Sequence, residues 1–472
     1  MSGGRIKADI CVVGAGSAGL SFAAGASQLG RKVVLVEKGE MGGDCLNYGC
    51  VPSKALLAAA GAAQSARDAA KFGVHAEPSV DFAAVMAHVQ GVIEAIAPVD
   101  SQERFEGLGV TVIRAPARFT GPREVEAGEK RISAKFFVVA TGSQPFAPPI
   151  DGLSEIPFDT NETIFGHRVA PRRLLILGGG PIGVEMAQAH RRLGAEVALV
   201  EADTILSRDD AEAVAVVRER LKAEGVEVIE NVKATSFAKA INGDIDMRLD
   251  DGRTLTGDRL LIAVGRRINA NDLNLEAAGV EVENGRPKCD ANLRTANKRI
   301  FLAGDVAGGK QFTHVAGDDA ARLVRTILFK ATSSKRDALA PHVTYCDPEI
   351  ASAGFTEAQA RQAHGEVKVS RWAFTENDRA QAERRTDGFL KVMTKKNGEV
   401  LGASIVGKNA GEQIGYWAAA MANGWKIGSF TKMIAPYPTR SEMAKRVAGA
   451  FYTPTLFSDR TRLLVRLLSI FD

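Results

Sequence analysis

The sequence predicts an α/β fold in which two copies of one strand–helix–strand unit are followed by a C-terminal α+β domain. In the first unit, residues 10–37, a short apolar strand leads into a glycine-rich turn, a helix and a second strand that ends in an acid. The same pattern returns at residues 174–201. From residue 341 onward, strands and hairpins replace it. Strands that alternate with helices favour parallel pairing, whereas a run of hairpins favours an antiparallel sheet.

The first unit carries Gly14, Gly16 and Gly19 in its turn, which we name the first glycine turn, residues 14–19. Glycines there let the backbone approach a pyrophosphate at the N-terminus of the following helix. Glu37, at the end of the second strand, can accept hydrogen bonds from a ribose. Strand, glycine turn, helix and acid together are typical of a Rossmann-like dinucleotide-binding domain.

The second unit repeats this arrangement with Gly178, Gly180 and Gly183 in the second glycine turn, residues 178–183, and with Glu201 at the end of its second strand. The interval is constant, because 178 − 14 and 201 − 37 both equal 164. A carboxylate at Glu201 would bond the 2′-hydroxyl of adenosine and repel a 2′-phosphate. The second unit is therefore predicted to prefer NAD(H) over NADP(H).

Two cysteines, Cys45 and Cys50, lie between a Gly-Gly turn and an Ala/Leu-rich helix. They can face each other across the first helical turn, where the amide dipoles stabilise a thiolate. A metal site normally needs more ligands, and the sequence has no second Cys/His cluster at ligand spacing. A structural disulfide is disfavoured in a large chain without secretory features, and two buried free thiols are the remaining alternative. We therefore predict a redox pair.

The composition limits the partners and the compartment. The 472 residues contain 60 basic and 56 acidic side chains, which are dispersed and give a net charge of +4. No basic stripe stands out, so we expect no nucleic-acid partner. Five cysteines in a chain of this length suit a reducing compartment. Neither an N-terminal apolar signal nor a run approaching a membrane span is evident, so we expect a cytoplasmic protein.

The stretch of residues 42–56, GGDCLNYGCVPSKAL, resembles the active-site motif of the class I flavin-dependent pyridine nucleotide–disulfide oxidoreductases. This family includes dihydrolipoamide dehydrogenase, glutathione reductase and mercuric reductase. The resemblance covers essentially the whole chain. It implies that the first unit binds FAD, that the second binds the nicotinamide nucleotide, and that electrons pass from NADH through FAD to a Cys45–Cys50 disulfide. In the family order, Cys50 is the thiolate beside the flavin and Cys45 is the interchange thiol that meets the substrate.

The same resemblance assigns roles to residues around these motifs. Lys54 would place a cation near the flavin, and Glu185 would lie near the nicotinamide and pair with Lys54. Further FAD contacts are implied at Lys38, Gly43, Asp44, Thr141, Gly142, Gly304 and Asp305, and Gly265 closes the nucleotide domain. The implied domains are 1–148 and 270–340 for FAD, 149–269 for NAD(P), and 341–472 for the interface. In the family the interface domain forms a homodimer and completes the partner's disulfide site.

The family pattern breaks at residues 437–442. The family has His-Pro-Thr-x-Ser-Glu there, in which the histidine is the acid–base and the glutamate orients it. This chain has Tyr437 at the start of the segment and Glu442 at its end. A phenol with a pKa of about 10 can donate a proton but is a poor base. The sequence leaves open whether Tyr437 acts as an acid, a metal ligand or a filler.

The electron acceptor is therefore not fixed by the resemblance. The main prediction is a disulfide oxidoreductase with an unidentified acceptor. The alternatives are a dihydrolipoamide dehydrogenase with a substituted acid–base, a mercuric or other metal-ion reductase, a quinone reductase that uses the flavin directly, and a redox-sensing flavoprotein. Mercuric reductases carry a tyrosine at this place but also a cysteine pair near the C-terminus, and no cysteine follows Cys346 here.

Residues 456–471 form a basic, apolar-rich tail that is unusual for the family. Three arginines stand among leucines, which is compatible with an interfacial helix on a membrane surface or with a partner-docking face. The alternative is that the tail packs back onto the dimer.

Overall fold

The computed structural model describes residues 4–331 and 339–470, and its internal contacts divide the chain into two units. Unit one spans Met1–Val200 and Val232–Asp337, and unit two spans Glu201–Asn231 and Ala338–Asp472. The strands and helices confirm the predicted α/β fold, whereas the predicted domain boundaries stay predictions. Phe471, at the end of the predicted tail, lies outside the described residues.

The elements are numbered in chain order. The strands are β1 (Arg5–Val13), β2 (Val33–Glu37), β3 (Thr111–Arg114), β4 (Ala117–Gly121), β5 (Glu124–Ala127), β6 (Lys130–Val139), β7 (Ser143–Pro145), β8 (Arg173–Leu177), β9 (Glu196–Glu201), β10 (Val226–Glu230), β11 (Ala234–Lys239), β12 (Ile245–Leu249), β13 (Thr254–Gly257), β14 (Arg259–Ile262), β15 (Arg266–Ile268), β16 (Val282–Glu283), β17 (Arg286–Pro287), β18 (Ile300–Leu302), β19 (His342–Thr344), β20 (Glu349–Gly354), β21 (Lys368–Ala373), β22 (Phe389–Thr394) and β23 (Val400–Gly407). The helices are α1 (Ser17–Gln28), α2 (Gly43–Asn47), α3 (Cys50–Asp68), α4 (Phe82–Asp100), α5 (Gln102–Gly107), α6 (Pro181–Arg192), α7 (Ala211–Ala223), α8 (Thr313–Leu328), α9 (Glu357–His364), α10 (Asp378–Ala382), α11 (Ala410–Ala422), α12 (Glu442–Leu456) and α13 (Asp459–Leu468).

Unit one is centred on a sheet with the strand order β3-β2-β1-β6-β5-β4, in which β18 also pairs with β6. Its central strands pair in parallel, and the last residues of β1 and β6 are buried together with β2 and β18, as expected for apolar segments that are covered on both faces. On one face, α1 and α8 pack together and bury Phe22, Leu323 and Ile327 in a common core with β1 and β2. Because β1 ends at Val13 and β6 at Val139, the first glycine turn and the segment after β6 meet at one sheet edge.

The second strand–helix–strand unit repeats this construction. Strand β8 pairs in parallel with β9 on one side and with β14 on the other, and α6 follows the second glycine turn. A three-stranded antiparallel sheet of β11, β12 and β13 follows. The short strand β15 pairs antiparallel with β7, which brings the residues after Gly265 beside those after Gly142.

Unit two contains an antiparallel sheet with the strand order β19-β20-β23-β22-β21, in agreement with the predicted α+β domain. Helices α11 and α12 contribute to its core, where Trp417, Phe430 and Val447 are buried. The indole of Trp417 lies 4.4 Å from the ring of Phe430, measured between the ring centroids. Aromatic packing of this kind fixes α11 against the short turn Ile427–Lys432 that lies between the two helices in the chain.

A buried ion cluster fixes helix α7 within unit two. Nζ of Lys391, on β22, lies 3.0 Å from Oδ2 of Asp210, 2.6 Å from Oε1 of Glu212 and 3.3 Å from Oε2 of Glu357. Lys391 is 2% exposed, so these carboxylates compensate a charge that burial would otherwise make very costly. Asp210 is also the N-cap of α7, and its carboxylate accepts the backbone amide of Glu212.

One helical stretch of the described residues, Phe82–Gly107, is long and apolar enough to cross a membrane by length and composition alone. This corrects the expectation that no run approaches a membrane span. The stretch combines α4 and α5, and its many alanines raise the mean hydropathy while charges stay few. In the structure α4 packs on α3 and buries Phe82, Met86 and Val89, while only 11% of the stretch's most apolar 18 residues are buried.

Candidate active site

Glycines position the loop that carries the two cysteines. Gly42 and Gly43 adopt positive φ angles of 87° and 61°, which favour glycine over other residues. A Cβ on Gly43 would lie 2.8 Å from Cα of Gly16, so the loop packs directly against the first glycine turn. Cys45 follows on α2, and Cys50 is the first residue of α3. The local backbone therefore brings both thiols to the edge of the first nucleotide-binding unit.

The two thiols differ in their electrostatic environment. The thiol of Cys45 donates a hydrogen bond to Cys50, which lowers the pKa of Cys50 to about 6 together with Thr313 and the charge of Lys54. The same hydrogen bond and burial raise the pKa of Cys45. The amide dipoles at the start of α3 also favour a negative charge on Cys50. At neutral pH the reduced pair is therefore a Cys50 thiolate beside a Cys45 thiol.

Thr313 supplies a contact to Cys50 that was not predicted from the sequence. Its Oγ1 lies 3.4 Å from Sγ of Cys50, and Thr313 is the first residue of α8. The only sequence signal was its place inside the segment that follows the Gly-Asp turn at Gly304. Because the threonine hydroxyl can donate to sulfur, it stabilises the thiolate rather than the thiol.

We expect Thr313→Val to raise the pKa of Cys50 by roughly 0.5 to 1 unit, because one hydrogen bond to a charged group is lost. In the reduced protein, the rate of alkylation by iodoacetamide should rise through the Cys50 pKa as the pH increases. The midpoint near pH 6 should move upward in the variant. Ultraviolet absorbance of the thiolate gives an independent titration.

Thr326→Val is the control, because Thr326 makes the same substitution possible on the same helix at a buried position about three and a half turns beyond the exposed Thr313. Its midpoint should equal that of the native protein. Cys11 provides an internal reference, since burial raises its pKa to about 12 and keeps it unreactive. A Thr313→Val midpoint equal to the native one would show that Thr313 does not stabilise the thiolate.

An ion pair connects helix α3, which begins with Cys50, to helix α6 of the second strand–helix–strand unit. Nζ of Lys54, one turn after Cys50 on α3, lies 2.9 Å from Oε2 of Glu185 on α6. The side chain of Glu185 is only 5% exposed, so its charge requires compensation by a cation or by hydrogen bonds. The two residues that the resemblance pairs are thus in contact, and their roles in electron transfer stay predictions.

The first glycine turn fits the pyrophosphate of a dinucleotide. A Cβ on Gly14 would lie 2.4 Å from the carbonyl oxygen of Ala140, and one on Gly19 would lie 1.9 Å from that of Gly14. The turn therefore tolerates no side chain at either place. Gly16 is the N-cap of α1, and neither a side-chain cap nor an acid in the first turn competes for the helix amides. An anion can approach these amides, which is what FAD requires.

The second glycine turn has the same geometry. A Cβ on Gly178 would lie 2.5 Å from the carbonyl oxygen of Ala263, and one on Gly183 would lie 1.9 Å from that of Gly178. Gly180 is the N-cap of α6, again without a side-chain cap or an acid in the first turn. The backbone at this turn thus fits a second dinucleotide, which the sequence predicts to be NAD(H).

The two acids at the strand ends hold backbone amides. Glu37 accepts the amide of Ala15 through Oε2 at 2.6 Å and that of Gly39 through Oε1 at 2.7 Å. Glu201 accepts the amide of Asp203 through Oε1 at 3.0 Å. A carboxylate has about four acceptor positions, so Glu37, which accepts two amides, retains capacity for ribose hydroxyls.

A polar network joins two of the predicted FAD contacts, Asp44 and Asp305. The hydroxyl of Ser143 donates to Oδ2 of Asp305 at 2.5 Å and accepts Nε of Arg266 at 2.7 Å. Arg266 also reaches Oδ1 of Asp44 at 3.0 Å, and Nδ2 of Asn161 donates to the same oxygen at 2.9 Å. Burial raises the pKa of Asp305. In this structure the carboxylate of Asp44 therefore holds the guanidinium of Arg266 in place.

Ser143, Arg266 and Asn161 were not predicted as site residues. Ser143 directly follows the predicted Thr141 and Gly142, and Arg266 directly follows the predicted Gly265. The predicted residues thus adjoin Ser143 and Arg266 in the sequence. The pairing of β7 with β15, which brings these two side chains together, is not visible in the sequence. The network rigidifies the region between the two nucleotide-binding units.

The other predicted FAD and nucleotide contacts occupy turns. The hydroxyl of Thr141 donates to the backbone carbonyl of Asn269 at 2.6 Å. The backbone amide of Asn269 in turn donates to the carbonyl of Gly142. The amide of Gly304 donates to Oδ2 of Asp319 at 3.1 Å, and Lys38 is exposed. Gly265 has a φ of 142°, which places it in the region that favours glycine. These positions are compatible with cofactor contacts, and their roles stay predictions.

In unit two, Tyr437 has a different partner from the one that the family pattern suggests. Its hydroxyl donates to Oδ2 of Asp378 at 2.6 Å, whereas Glu442 pairs with Arg446, whose Nε lies 2.7 Å from Oε1. The side chain of Tyr437 is 68% exposed. The hydrogen bond to Asp378 raises the pKa of Tyr437, because ionisation would place two negative charges together. Asp378 was not predicted, and it replaces Glu442 as the carboxylate that orients this residue.

Known proteins resemble this chain over nearly its whole length. A family model described as Pyridine nucleotide-disulphide oxidoreductase matches residues 8–320, and one described as Pyridine nucleotide-disulphide oxidoreductase, dimerisation domain, matches residues 340–448. Dihydrolipoyl dehydrogenase of Thermus scotoductus is 35% identical over 453 residues, which cover 94% of this chain and 97% of that protein. Mercuric reductase of Bacillus cereus is 33% identical over 457 residues, which cover 95% of this chain and 72% of that protein.

A solved structure adds a third relative. The Cu(II) complex of HOCl-induced flavoprotein disulfide reductase RclA from Escherichia coli superimposes with a TM-score of 0.83 and 27% sequence identity. The match covers 93% of this chain and 98% of that chain. These three proteins share the fold and differ in the acceptor that their names indicate.

Proposed function

Because this chain belongs to the pyridine nucleotide-disulphide oxidoreductase family of flavoproteins, we propose that it uses NADH to reduce an acceptor through a Cys45–Cys50 redox pair. FAD, when bound, supplies the redox centre that connects nicotinamide chemistry to sulfur. One observation carries the proposal. In the reduced pair, Cys50 is ionised beside Lys54 while Cys45 stays protonated, which gives the two thiols separate tasks.

The thiol pair reduces a substrate disulfide in two balanced steps. Cys45 transfers its proton to Cys50 and attacks one substrate sulfur, which forms a mixed disulfide and expels the other sulfur as a thiolate. Cys50 gives this proton to the expelled thiolate and attacks the sulfur of Cys45. The Cys45–Cys50 disulfide forms, and the second substrate sulfur leaves as a thiolate. Two electrons have then passed to the substrate, which leaves as one thiol and one thiolate.

Tyr437 favours this direction of the reaction. Its raised pKa keeps the hydroxyl protonated through the neutral range and its proton is donated to Asp378, so Tyr437 cannot remove a proton from a dithiol. The dimerisation-domain match supports a homodimer, in which Tyr437 would serve the thiol pair of the other subunit, as the resemblance implies. We therefore propose acceptor reduction, rather than dithiol oxidation, as the physiological direction.

The decisive experiment measures NAD reduction by dihydrolipoamide between about pH 6 and pH 9, since this reaction needs a base near neutrality. We expect a very low native rate. Tyr437→His should raise it by roughly 100-fold, because general acid–base catalysis typically contributes that much. The gain should follow the titration of an imidazole, with a midpoint near its ordinary pKa of about 6.5.

Tyr416→His is the matched control, because Tyr416 is also an exposed tyrosine of unit two but lies on α11. It should leave the rate unchanged. A high rate in the native protein would instead favour a dihydrolipoamide dehydrogenase in which another residue replaces the missing histidine.

A metal ion is the second candidate acceptor. The relatives named above include a mercuric reductase and a Cu(II) complex, and Tyr437 matches the tyrosine that mercuric reductases carry at this place. No group of three or more His, Cys, Asp or Glu residues suited to a metal occurs among residues 4–331 and 339–470. A metal ion would therefore meet the thiol pair itself. A negligible native rate with dihydrolipoamide would make Cu(II) the first acceptor to test.

The proposal extends to the choice of coenzyme, the cellular location and the role of the tail. Glu201 supports NADH over NADPH, because its carboxylate repels a 2′-phosphate. Five cysteines in a chain of 472 residues support a cytoplasmic location, where thiols stay reduced. The tail beyond residue 456 would serve docking rather than catalysis.

A further inference from the structure

The C-terminal helix α13 stands out because none of its residues is buried. It begins after Ser458, whose hydroxyl accepts the amide of Thr461 at 3.4 Å, and runs from Asp459 to Leu468. The match to the dimerisation domain ends at residue 448, so α13 lies outside the conserved part of that domain. A helix of ten residues without a buried face has little stability in water on its own. It therefore needs a surface to bind.

Four leucines form one continuous apolar surface on α13, which we name the apolar arc: Leu463, Leu464, Leu467 and Leu468. At about 100° per residue they span about 140° of the helix circumference. Each is between 51% and 57% exposed. This arc is wider than the narrow seam of a two-stranded coiled coil, and ten residues supply fewer than two heptads. Self-pairing of two such helices is therefore a poor solution for this surface.

The charges of α13 complement an anionic surface. Arg460, Arg462 and Arg466 are basic, whereas the helix has a single acid, Asp459, at its first residue. Arg462 lies 3.4 Å from Asp459 in an exposed pair, which contributes little to stability. Arg462 and Arg466 follow one another on the face opposite the apolar arc. This combination of a leucine face and an arginine face is typical of helices that lie in the membrane interface.

Arg460 discriminates between a lipid and a protein partner. By its angular position it falls inside the apolar arc, between Leu467 and Leu464. Along the helix axis Arg460 precedes Leu463 and Leu464 by about one turn, so it lies at the N-terminal edge of the arc, where burial in an apolar protein interface would require a paired carboxylate. At a membrane, the long side chain can instead extend to the phosphate groups while its methylenes stay among the acyl chains.

We propose that α13 anchors the enzyme to an anionic phospholipid membrane, with the apolar arc inserted between the acyl chains and the three arginines at the phosphates. This inference rests on the docking role proposed above for the tail and is independent of the redox chemistry. In a homodimer two copies of α13 act together, so the second insertion is favoured by the first.

The test is co-sedimentation of the full-length FAD-loaded protein with vesicles of phosphatidylcholine and phosphatidylglycerol at about seven to three, with pure phosphatidylcholine for comparison. We expect binding to the anionic vesicles that weakens as salt rises to about 0.5 M. Leu468→Glu should lower the partition coefficient roughly 100-fold, because a charge replaces an inserted leucine. Arg462→Gln with Arg466→Gln should lower it about 30-fold.

Ser469→Glu is the matched control, since it adds the same charge next to Leu468 but on the opposite side of the helix. It should retain binding within about 5-fold of the native protein, the effect of one charge. Equal binding by the native protein and Leu468→Glu, or no binding of the native protein to anionic vesicles, would overturn the proposal. If Leu468→Glu instead converts a dimer to a monomer in gel filtration, a second copy covers the apolar arc and the proposal is wrong. NADH-dependent reduction of a disulfide should be the same in Leu468→Glu, which separates this outcome from a failure of the redox proposal.

Discussion

Cys45→Ser should lower NADH-dependent disulfide reduction by at least about 1000-fold, because a serine hydroxyl cannot form the mixed disulfide. Cys50→Ser should cause a loss of the same order, since the pair can no longer close. Reduction of ferricyanide, which accepts electrons without thiol exchange, should persist in both variants. The two activities, disulfide reduction and ferricyanide reduction, measured with NADH on FAD-loaded protein, test whether sulfur lies between the cofactor and the acceptor.

The two variants should also differ from one another. Cys45→Ser retains Cys50 beside Lys54, and the serine hydroxyl can still donate a hydrogen bond to it, so the pKa of Cys50 should stay near about 6. Cys50→Ser removes the low-pKa thiol itself. Cys289→Ser is the control, because Cys289 belongs to neither the pair nor its surroundings, and its activities should equal those of the native protein. Full disulfide turnover in Cys45→Ser would favour a quinone reductase or diaphorase that uses the flavin directly.

Gly19→Ala should abolish FAD binding, because the added Cβ would lie 1.9 Å from the carbonyl oxygen of Gly14. That oxygen belongs to the backbone of the turn and cannot move without displacing the pyrophosphate site. Gly183→Ala meets the identical obstacle, 1.9 Å from Gly178, but in the second turn. It should retain FAD and lose NADH affinity by at least about 100-fold, the cost of a misplacement on the order of 1 Å.

Visible flavin absorbance of the purified protein gives the FAD content, and NADH-dependent ferricyanide reduction gives the KM for NADH. Gly61→Ala is the matched control, because Gly61 lies within α3 and a Cβ there meets nothing within 4 Å. It should keep both cofactors and gain about 1 kcal/mol of stability from the higher helix propensity of alanine. Normal FAD content in Gly19→Ala would refute the assignment of the first turn, and loss of FAD from Gly183→Ala together with a raised KM for NADH in a Gly19→Ala protein that keeps FAD would reverse the two assignments.

The parts of the site that depend on backbone geometry could be predicted from the sequence, because local spacing determines them. The glycine turns are recognisable since Gly19 and Gly183 stand at fixed distances from Gly14 and Gly178. The cysteine loop is recognisable because its motif is contiguous. In both cases a short segment contains all of the residues that the geometry needs.

The contacts between distant side chains could not be predicted in this way. Arg266 meets Ser143 only because β15 pairs with β7, and no sequence pattern specifies that pairing. Thr313 reaches Cys50 across 263 positions of sequence. Asp378 replaces Glu442 as the partner of Tyr437 because of how the chain folds within unit two. Such contacts depend on tertiary packing, in which residue type alone has little predictive value.

The ion pair between Lys54 and Glu185 has a thermodynamic consequence for regulation. The charge of Lys54 stabilises the Cys50 thiolate, while Glu185, two residues beyond the second glycine turn, holds Lys54 in place. Any nucleotide that binds at that turn and shifts Glu185 must therefore alter the proton affinity of Cys50. By reciprocity, ionisation of Cys50 must alter the affinity for the nucleotide by the same factor. One buried carboxylate thus makes nucleotide binding and the protonation state of the thiol pair dependent on each other.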